Sequence, residues 1–432
     1  MPGLRRLFRN ARLIDPESGR DATGDLMVED DRIAGIGLNL GKDGLGADIE
    51  IVDVSGLCLA PGLVDMRVQL REPGAEHIES IESGSRAAAA GGVTTMVTLP
   101  NTEPPVDDVS VVEFLARRAR EVRLTKVHTY AAATKGMAGK ELTEIGLLAA
   151  NGALGFTDGV KAIADALVMR RVLAYARTFD QLVIQHPEEP SLGHAGEVNE
   201  GEVATRLGLA GINPAAEVIM VERDLRLVAI TGARYHVAHV STAAAIEAIR
   251  GAKADGLPVT CDTAPPYFAL NETAVGDYRT FAKLSPPLRG ESDRQAVVAG
   301  LADGTIDAIA SDHSPWDQDS KRLPFSSASY GIVGLETLLP LSLELHHTLH
   351  LRLVEVLHKL TIAPARILGL GVGRLAVGAP ADLAIFDPDA KFRIETDRFR
   401  SKSKNAPFDG RPVQGRVERT IVDGRTIFER AA

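Results

Sequence analysis

The chain is poor in cysteine, in surplus basic residues and in long apolar segments, and each shortage excludes a class of protein. Cys58 and Cys261 are too few for a disulfide framework or a thiolate zinc cluster, and they suit a reducing cytoplasm. The 48 basic residues are outnumbered by 58 acidic ones, so nothing is left over to neutralise nucleic-acid phosphates. No segment approaches the roughly 20 apolar residues that span a bilayer, and no signal peptide is evident. We therefore expect a cytoplasmic protein that binds neither nucleic acid nor membrane.

What the chain does have is length and a globular composition. Its 432 residues exceed one ordinary domain and suffice for a barrel with a smaller domain. Hydrophobic residues make up 45% and charged residues 25%, values typical of folded globular proteins. These values favour a folded chain of two parts over a fibrous or disordered one.

Between residues 59 and 369, a short apolar strand followed by a helical stretch recurs eight times. Eight such units predict an α/β fold, a (β/α)8 TIM barrel, because each unit adds one parallel strand. Helices are predicted over 81–90, 111–122 and 243–254, among others. The predicted strands are 63–68, 93–99, 125–131, 153–157, 181–186, 235–240, 258–262 and 306–311.

The two ends of the chain, residues 1–58 and 370–432, differ from the barrel region because they consist of short strands and turns. Alternating residues around Asp30–Asp31 and around Asp423–Gly424 indicate hairpins. We expect both ends to pair into one small composite β-domain outside the barrel. The basic stretch at 398–404 favours a solvated loop.

Polar residues stand at the ends of the predicted strands, where barrel enzymes keep their chemistry. A lone histidine there is more often a hydrogen-bonded structural residue than a ligand, and an aspartate often caps a loop. Two histidines and two aspartates from four strands also form a set that zinc or a similar ion binds. Spacing alone leaves both explanations open. The residues concerned are Asp65, Arg67, Gln69, Arg71, Asn101, Asp158, His186, His239, Asp312 and His313.

Several motifs, in order over nearly the whole chain, resemble those of dihydroorotases. We identify the chain as a member of the long form of this family, which is related to allantoinases and hydantoinases. The motifs are PGLVDM at 61–66, LREPG at 70–74, MVTLPNT at 96–102, NEGE at 199–202, HVST at 239–242, SPPLR at 285–289, SDHSP at 311–315, GIVGLET at 331–337 and PADL at 380–383.

The resemblance implies an activity and a set of site residues. The family interconverts carbamoyl aspartate and dihydroorotate in pyrimidine synthesis, with one or two zinc ions in the barrel mouth. In the family pattern Asp158, His186 and His239 match metal ligands, and Asp312 matches a ligand that also shuttles the proton. The residues that match substrate contacts are Arg71, Asn101 and His313.

The chain departs from the family pattern at the metal site. Arg67 and Gln69 stand where the family has His-x-His at the end of the first strand. A guanidinium stays protonated and has no free lone pair, and an amide offers only a weak neutral oxygen. Ser285 replaces the usual asparagine, and Trp316 replaces a histidine. One acid, Asp158, stands where the family often has two, and which of the two is missing stays open.

The absence of the two histidines bears on catalysis because they would hold a metal ion. Such an ion supplies hydroxide by lowering the pKa of bound water from about 15.7 to about 7. We expect at most one zinc ion, held by Asp158, His186 and His239. The first prediction is a non-catalytic homologue that serves as a structural partner, with aspartate transcarbamoylase as first candidate, and that forms a homo-oligomer. The alternatives are an active single-metal dihydroorotase and another hydrolase of small cyclic amides or carbamoyl amino acids.

A specific expectation concerns Arg67. Without a cation, Asp312 would be an unpaired carboxylate in an enclosed mouth, which is costly. The Arg67 guanidinium then stands in for the metal charge, with its nitrogens about 3 Å from Asp312 or Asp158 oxygens. The alternative is that Arg67 turns outward to solvent.

Overall fold

Five strands open the chain in the computed structural model, which describes residues 5–40, 49–193 and 196–431. The parts of the predicted β-domain at 1–4, 41–48 and 432 lie outside these ranges. β2 and β3 form the hairpin predicted around Asp30–Asp31, and β1 pairs with β2, β4 and β5. The strands are β1 (Arg5–Asp15), β2 (Arg20–Glu29), β3 (Arg32–Gly37), β4 (Ile49–Asp53) and β5 (Cys58–Pro61).

The barrel strands follow, and all eight predicted ones are confirmed, most of them shorter than predicted. They are neighbours in one parallel sheet, in chain order, while β11 and β12 form a separate pair. A bridge between Val68 and His313 joins the first strand to the chain after the last, so the sheet closes. The strands are β6 (Leu63–Val68), β7 (Val93–Thr98), β8 (Lys126–Ala131), β9 (Ala153–Phe156), β10 (Val183–Gln185), β11 (Val198–Asn199), β12 (Gly211–Ile212), β13 (Tyr235–Val237), β14 (Val259–Thr263) and β15 (Ala308–Ile309).

Helices alternate with these strands. In the described ranges, no helix combines the length and the apolar character needed to cross a membrane. The α-helices are α1 (Ile81–Ala90), α2 (Val109–Val122), α3 (Ile145–Ala150), α4 (Ala166–Thr178), α5 (Pro190–Gly193), α6 (Glu202–Leu207), α7 (Ala215–Thr231), α8 (Ala243–Ala254), α9 (Pro265–Ala269), α10 (Glu291–Asp303), α11 (Gln318–Lys321), α12 (Leu338–His347), α13 (Leu353–Leu360) and α14 (Ile362–Ile367). Short 3-10 helices cover Lys135–Met137, Glu272–Val275, Thr280–Ala282, Phe325–Ser327 and Thr396–Arg398.

The helix α1 shows how the sequence sets the ends of an element. The side chain of Ser80 accepts a hydrogen bond from the Ser83 amide, and the Ser83 side chain accepts one from the Ser80 amide. This capping box satisfies two donors that the first turn leaves free. Gly91 ends the helix, and a Cβ there would lie 2.1 Å from the carbonyl oxygen of Leu335. The missing side chain therefore lets the chain pass close to the barrel wall on its way into β7.

Three C-terminal strands complete the β-domain: β16 (Leu383–Arg393), β17 (Pro412–Val422) and β18 (Arg425–Glu429). The sheet order is β18-β17-β16-β5-β1-β2-β3, with β4 beside β1, so both ends of the chain share one sheet. Leu59 of β5 pairs with Ile385 of β16 across the junction. The composite β-domain is thus present, and its sheet runs on to Pro61, past the predicted boundary at 58. The boundaries at 58 and 370 stay predictions.

An ionic contact joins the β-domain to the barrel. Lys126, at the start of β8, places its Nζ 2.7 Å from carboxylate oxygens of both Asp382 and Asp423. The β-domain keeps its own apolar cluster, which includes Phe8 and Leu26. The barrel mouth lies at the opposite, carboxyl ends of the strands, where the predicted site residues stand.

Candidate functional site

The strand ends converge on one cavity of about 550 Å³ in the barrel mouth. Because parallel strands present their carboxyl ends at the same rim, residues distant in sequence meet there. The predicted site residues that line the cavity are Arg67, Gln69, Arg71, Asn101, His239 and Asp312.

Arg67 lies inside this site and contacts Asp312, as predicted. Its Nε is 2.9 Å from Asp312 Oδ1, and its Nη2 donates to the carbonyl of Gly159 at 3.3 Å. The side chains of Arg67 and Asp312 are 3% and 12% exposed, so the pair is buried. The alternative, in which Arg67 turns to solvent, is wrong.

Asp312 and His239 sit on unusual backbone. Their φ angles are 52° and 37°, in the left-handed region. Such conformations cost non-glycine residues about 1–3 kcal/mol each and persist where surrounding contacts enforce them. In active sites this arrangement aims side chains into the cavity.

A chain of hydrogen bonds links the two histidines to Asp312. His239 Nδ1 lies 2.9 Å from Asp312 Oδ2, and His239 Nε2 lies 2.8 Å from His186 Nδ1. Ser285 Oγ is 3.4 Å from His186 Nε2. One tautomer assignment satisfies the whole chain: His239 donates to Asp312, His186 donates to His239, and Ser285 donates to His186.

Burial and neighbouring charges determine the protonation states of these hydrogen-bonded side chains. Burial, together with the neighbouring His239 and Arg67, lowers the pKa of His186 well below its ordinary value, so His186 is neutral. Burial favours the neutral form of Asp312, but His239 and Arg67 outweigh it and hold the pKa of Asp312 well below its usual range. The carboxylate of Asp312 is therefore ionised and paired.

Asp158 does not join the histidines in the structure, and its role as a metal ligand stays a prediction. Its Oδ1 accepts hydrogen bonds from the amides of Ala133 and Thr134 at 3.1 and 2.9 Å, and its Oδ2 accepts from the Thr134 hydroxyl. Burial raises the pKa of Asp158, and these bonds oppose that effect. The loop after β8 thus engages both oxygens, and Asp158 does not line the cavity.

His313 is also placed differently from the prediction. It is 1% exposed, its Nδ1 accepts from the Gly334 amide at 3.1 Å, and its Nε2 is 3.5 Å from Glu79. Its backbone takes part in barrel closure. His313 is absent from the cavity lining, and its substrate contact stays a prediction.

Arg71 and Asn101 stand at the cavity as predicted. The Arg71 guanidinium lies over the Trp316 ring, 4.2 Å from its centroid, and burial lowers the pKa of Arg71 to about 10. Asn101 Nδ2 donates to Gln69 Oε1 at 2.9 Å, and Gln69 Nε2 donates to Ser314 Oγ at 3.0 Å. The amide of Gln69 is thereby occupied on both sides.

Some lining residues were not among the predicted site residues. Glu188, after β10, lines the cavity near Ser285, and burial raises the pKa of its carboxyl. Tyr330 comes from a distant loop. The proximity of Glu188 to His186 in the chain was the one available hint, since both follow the same strand.

The family implies a metal in this mouth, and the donor set does not fit a metal pair. Arg67 is a cation that cannot ligate, and it already occupies one oxygen of Asp312. The oxygen of Gln69 is taken by Asn101. Across the described ranges, no three His, Cys, Asp or Glu side chains are arranged to hold a metal ion. His186, His239 and Asp312 are the potential ligands that the structure does bring together.

Comparison with known proteins shows which class of protein shares this fold. A family model described as dihydro-orotase-like matches residues 56–245, and one described as amidohydrolase family matches 346–428. Among solved structures, L-hydantoinase from Arthrobacter aurescens aligns with TM-score 0.86 at 25% identity, covering 98% of this chain and 96% of that one. Dihydropyrimidinase from Brevibacillus agri aligns with TM-score 0.85 at 22% identity, covering 99% and 95%. The molecule is thus an amidohydrolase-type barrel with a terminal β-domain.

Curated relatives narrow the class to one family. A dihydroorotase from Anaplasma phagocytophilum is 48% identical over 425 residues, which cover 98% of this chain and 94% of the relative. A dihydroorotase from Wolbachia sp. subsp. Drosophila simulans is 45% identical, covering 99% and 96%. One from Syntrophobacter fumaroxidans is 44% identical, covering 98% and 97%. The chain belongs to the dihydroorotase family.

Proposed function

We propose that this chain is a dihydroorotase-family protein of pyrimidine biosynthesis whose barrel mouth does not catalyse the family's ring reaction. The observation that carries the proposal is the buried contact between Arg67 and Asp312. It puts a fixed side-chain cation beside the acid that the family pattern assigns to proton transfer.

Two chemical arguments support this proposal. Hydrolysis of an amide near neutral pH needs an activated water, and a guanidinium cannot lower the pKa of water by ligating it. A general base works best when its pKa lies near the working pH. Asp312 is a weak proton acceptor, because its pKa is held well below its usual range. His186 is also a weak proton acceptor, because burial lowers its pKa.

The role proposed for the barrel is that of a structural partner, with aspartate transcarbamoylase as first candidate. Support comes from the intact barrel and β-domain around an altered mouth. The proposal includes a homo-oligomer. Sedimentation of the chain alone and mixed with the transcarbamoylase of the same organism tests both points. A lone monomer that never co-sediments would contradict them.

A second candidate function is an active dihydroorotase or related cyclic-amide hydrolase that uses a single metal ion. The relatives at 44–48% identity all carry the name dihydroorotase, which favours it. The adjacent side chains of His186, His239 and Asp312 favour it too, because imidazole and carboxylate are zinc ligands.

Dihydroorotate turnover, measured with and without added zinc, separates the two candidates. We expect turnover at or near background in both conditions. A kcat in the ordinary range of about 1–10³ s⁻¹ would support the second candidate. Asp312→Asn is the matched control, since activity from this mouth disappears in that variant and activity from a contaminant does not.

A further inference from the structure

Helix α4 exposes a stripe of arginines on its outer side. Its apolar residues pack on the barrel, so Arg170, Arg171 and Arg177 point away from it. The helix contains no acidic residue, and these three side chains make no hydrogen bond or ion pair with the described residues. The capping Asp165 bonds the amides of the first turn instead. The stripe therefore carries positive charge without a paired carboxylate in the described part of the chain.

Helix α7 packs beside α4 and continues this basic surface. Its exposed Arg226 also makes no hydrogen bond or ion pair within the ranges that the structure describes. Arg223 does have a partner, the buried Asp224, whose Oδ1 lies 2.6 Å from Arg223 Nη2. The exposed acid of α7 is Glu222. Unpaired arginines thus outnumber exposed acids on the two helices, although the whole chain has a formal net charge of −10.

Exposed apolar side chains flank the arginines. Leu167 and Ile219 stand towards the starts of α4 and α7, and Phe179 and Ile230 stand towards their ends. The most exposed of them, Ile230, is 71% exposed. Single exposed apolar residues are ordinary on a protein surface, but arginine and aromatic residues together are typical of surfaces that bind other proteins. We call the exposed sides of α4 and α7, together with Phe179, the α4–α7 face.

The charge of the α4–α7 face limits what covers it. A symmetric dimer formed through this face would set the arginines of one copy against those of the other, because a two-fold axis pairs a patch with itself. Like charges that meet across an interface are strongly unfavourable. Nucleic acid is disfavoured by the net charge of −10. An acidic protein surface suits the face, since its carboxylates pair with the guanidinium groups while its apolar parts cover the flanking side chains.

We propose that the α4–α7 face binds a different protein, one whose contact surface is acidic and offers apolar contacts to Phe179 and Ile230. Guanidinium groups pair with carboxylates in a bidentate manner, and such pairs strengthen where neighbouring apolar contacts exclude water. The inference deepens the proposed function and rests on it, because it names the surface through which the structural partner acts and the chemistry of what binds there.

Arg170→Glu combined with Arg177→Glu tests the charge of the face. The probe is aspartate transcarbamoylase from the same organism, and surface plasmon resonance at low ionic strength follows its association. We expect the double variant to bind about 10- to 100-fold more weakly than the wild type, mainly through slower association. Arg20→Glu combined with Arg322→Glu is the matched control, because it changes the net charge equally at exposed arginines outside the face. The control should bind like the wild type.

Ile230→Ser tests the apolar contact separately. Apolar contacts form after the first encounter, so this variant should dissociate faster and keep the association rate of the wild type. The thermal midpoints of all these variants should stay near that of the wild type, because the substituted side chains are exposed. An Ile230→Ser variant whose dissociation is unchanged would place the contact elsewhere and contradict the inference.

The outcomes separate the inference from the proposed function. Equal binding of the arginine double variant and the wild type would overturn the inference and leave the partner role standing. A wild type that does not bind the probe at all would contradict both. A double variant whose own oligomeric state changes in sedimentation would assign the face to contacts between copies, which also overturns the inference. A wild type that turns over dihydroorotate yet binds through this face would contradict only the loss of catalysis.

Discussion

At the scale of single residues, Arg67 and Asp312 behave as a buried ion pair in the barrel mouth. Arg67 Nε lies 2.9 Å from Asp312 Oδ1, and the Arg67 side chain is 3% exposed. In such surroundings the loss of one partner costs far more than the pair contributes, because a buried charge is left without compensation. Arg67 therefore supplies locally the positive charge that Asp312 requires.

Arg67→Met should lower the free energy of unfolding by about 3–5 kcal/mol, measured by urea denaturation. Adding Asp312→Asn should recover part of this loss, since the uncompensated carboxylate is then removed. Arg322→Met serves as the surface control, because Arg322 is exposed. A loss below about 1 kcal/mol in Arg67→Met would indicate that the pair is solvated.

Asp65 gives a prediction about pH. It is fully buried in β6, and burial raises its pKa to about 7, against about 3.9 in an unfolded chain. Between these values the folded state binds more protons, so stability from this group falls as pH rises from about 4 to about 7.

Asp65→Asn carries no titrating group and should lose this dependence. Between pH 5 and pH 8, the wild type should lose about 2–3 kcal/mol more stability than the variant. Urea denaturation at both pH values measures the difference. Parallel pH profiles for the two proteins would contradict the prediction.

The sequence identified several site residues but not the direction of every side chain. Arg67 could be placed beside Asp312 because a buried carboxylate requires a partner. Asp158 could not be placed, because the loop after a neighbouring strand decides where its oxygens bond. His313 follows Asp312 directly, and which of two successive residues faces the mouth depends on the local backbone, here a φ of 52° at Asp312.

At the scale of elements, the end of β6 determines the chemistry of the mouth. Positions 67 and 69 lie on one face, because successive side chains of an extended strand alternate, and both residues line the cavity.

Apolar runs predicted the eight strands reliably, because strands covered on both faces need such runs. The contacts of Trp316 with Arg71 and with Asn405 could not be predicted, because three segments far apart in the chain form them.

Arg67→His combined with Gln69→His should increase the zinc content of purified, dialysed protein over that of the wild type. Two imidazoles then stand beside an Asp312 freed from its guanidinium, and such donors suit zinc. Each single variant should gain less, because it stays one ligand short. Elemental analysis that finds no more zinc in the double variant would contradict the assignment of these positions.

At the scale of the whole molecule, the barrel and the composite β-domain depend on each other. The β-domain strands come from both ends of the chain, so the barrel lies between its two halves. Lys126 links the barrel to the β-domain through Asp382, whose side chain is 4% exposed. Burial raises the pKa of Asp382, and Lys126 opposes this by stabilising the carboxylate.

Lys126→Met should therefore lower the free energy of unfolding by about 2–3 kcal/mol. Lys135→Met is the matched control, because Lys135 pairs with Glu141 where both side chains are more than half exposed. Its removal should cost less than about 1 kcal/mol. Equal effects of the two substitutions in urea denaturation would show that Lys126 does not stabilise the junction.

We infer that Arg67 replaces the cation that the family pattern places in this barrel. Elemental analysis of the wild-type chain, after equilibration with excess zinc and removal of free metal, tests it most directly. We expect at most one tightly bound divalent ion per chain, because Arg67 and Gln69 leave no ligands for a second. A value close to two zinc ions per chain would contradict it.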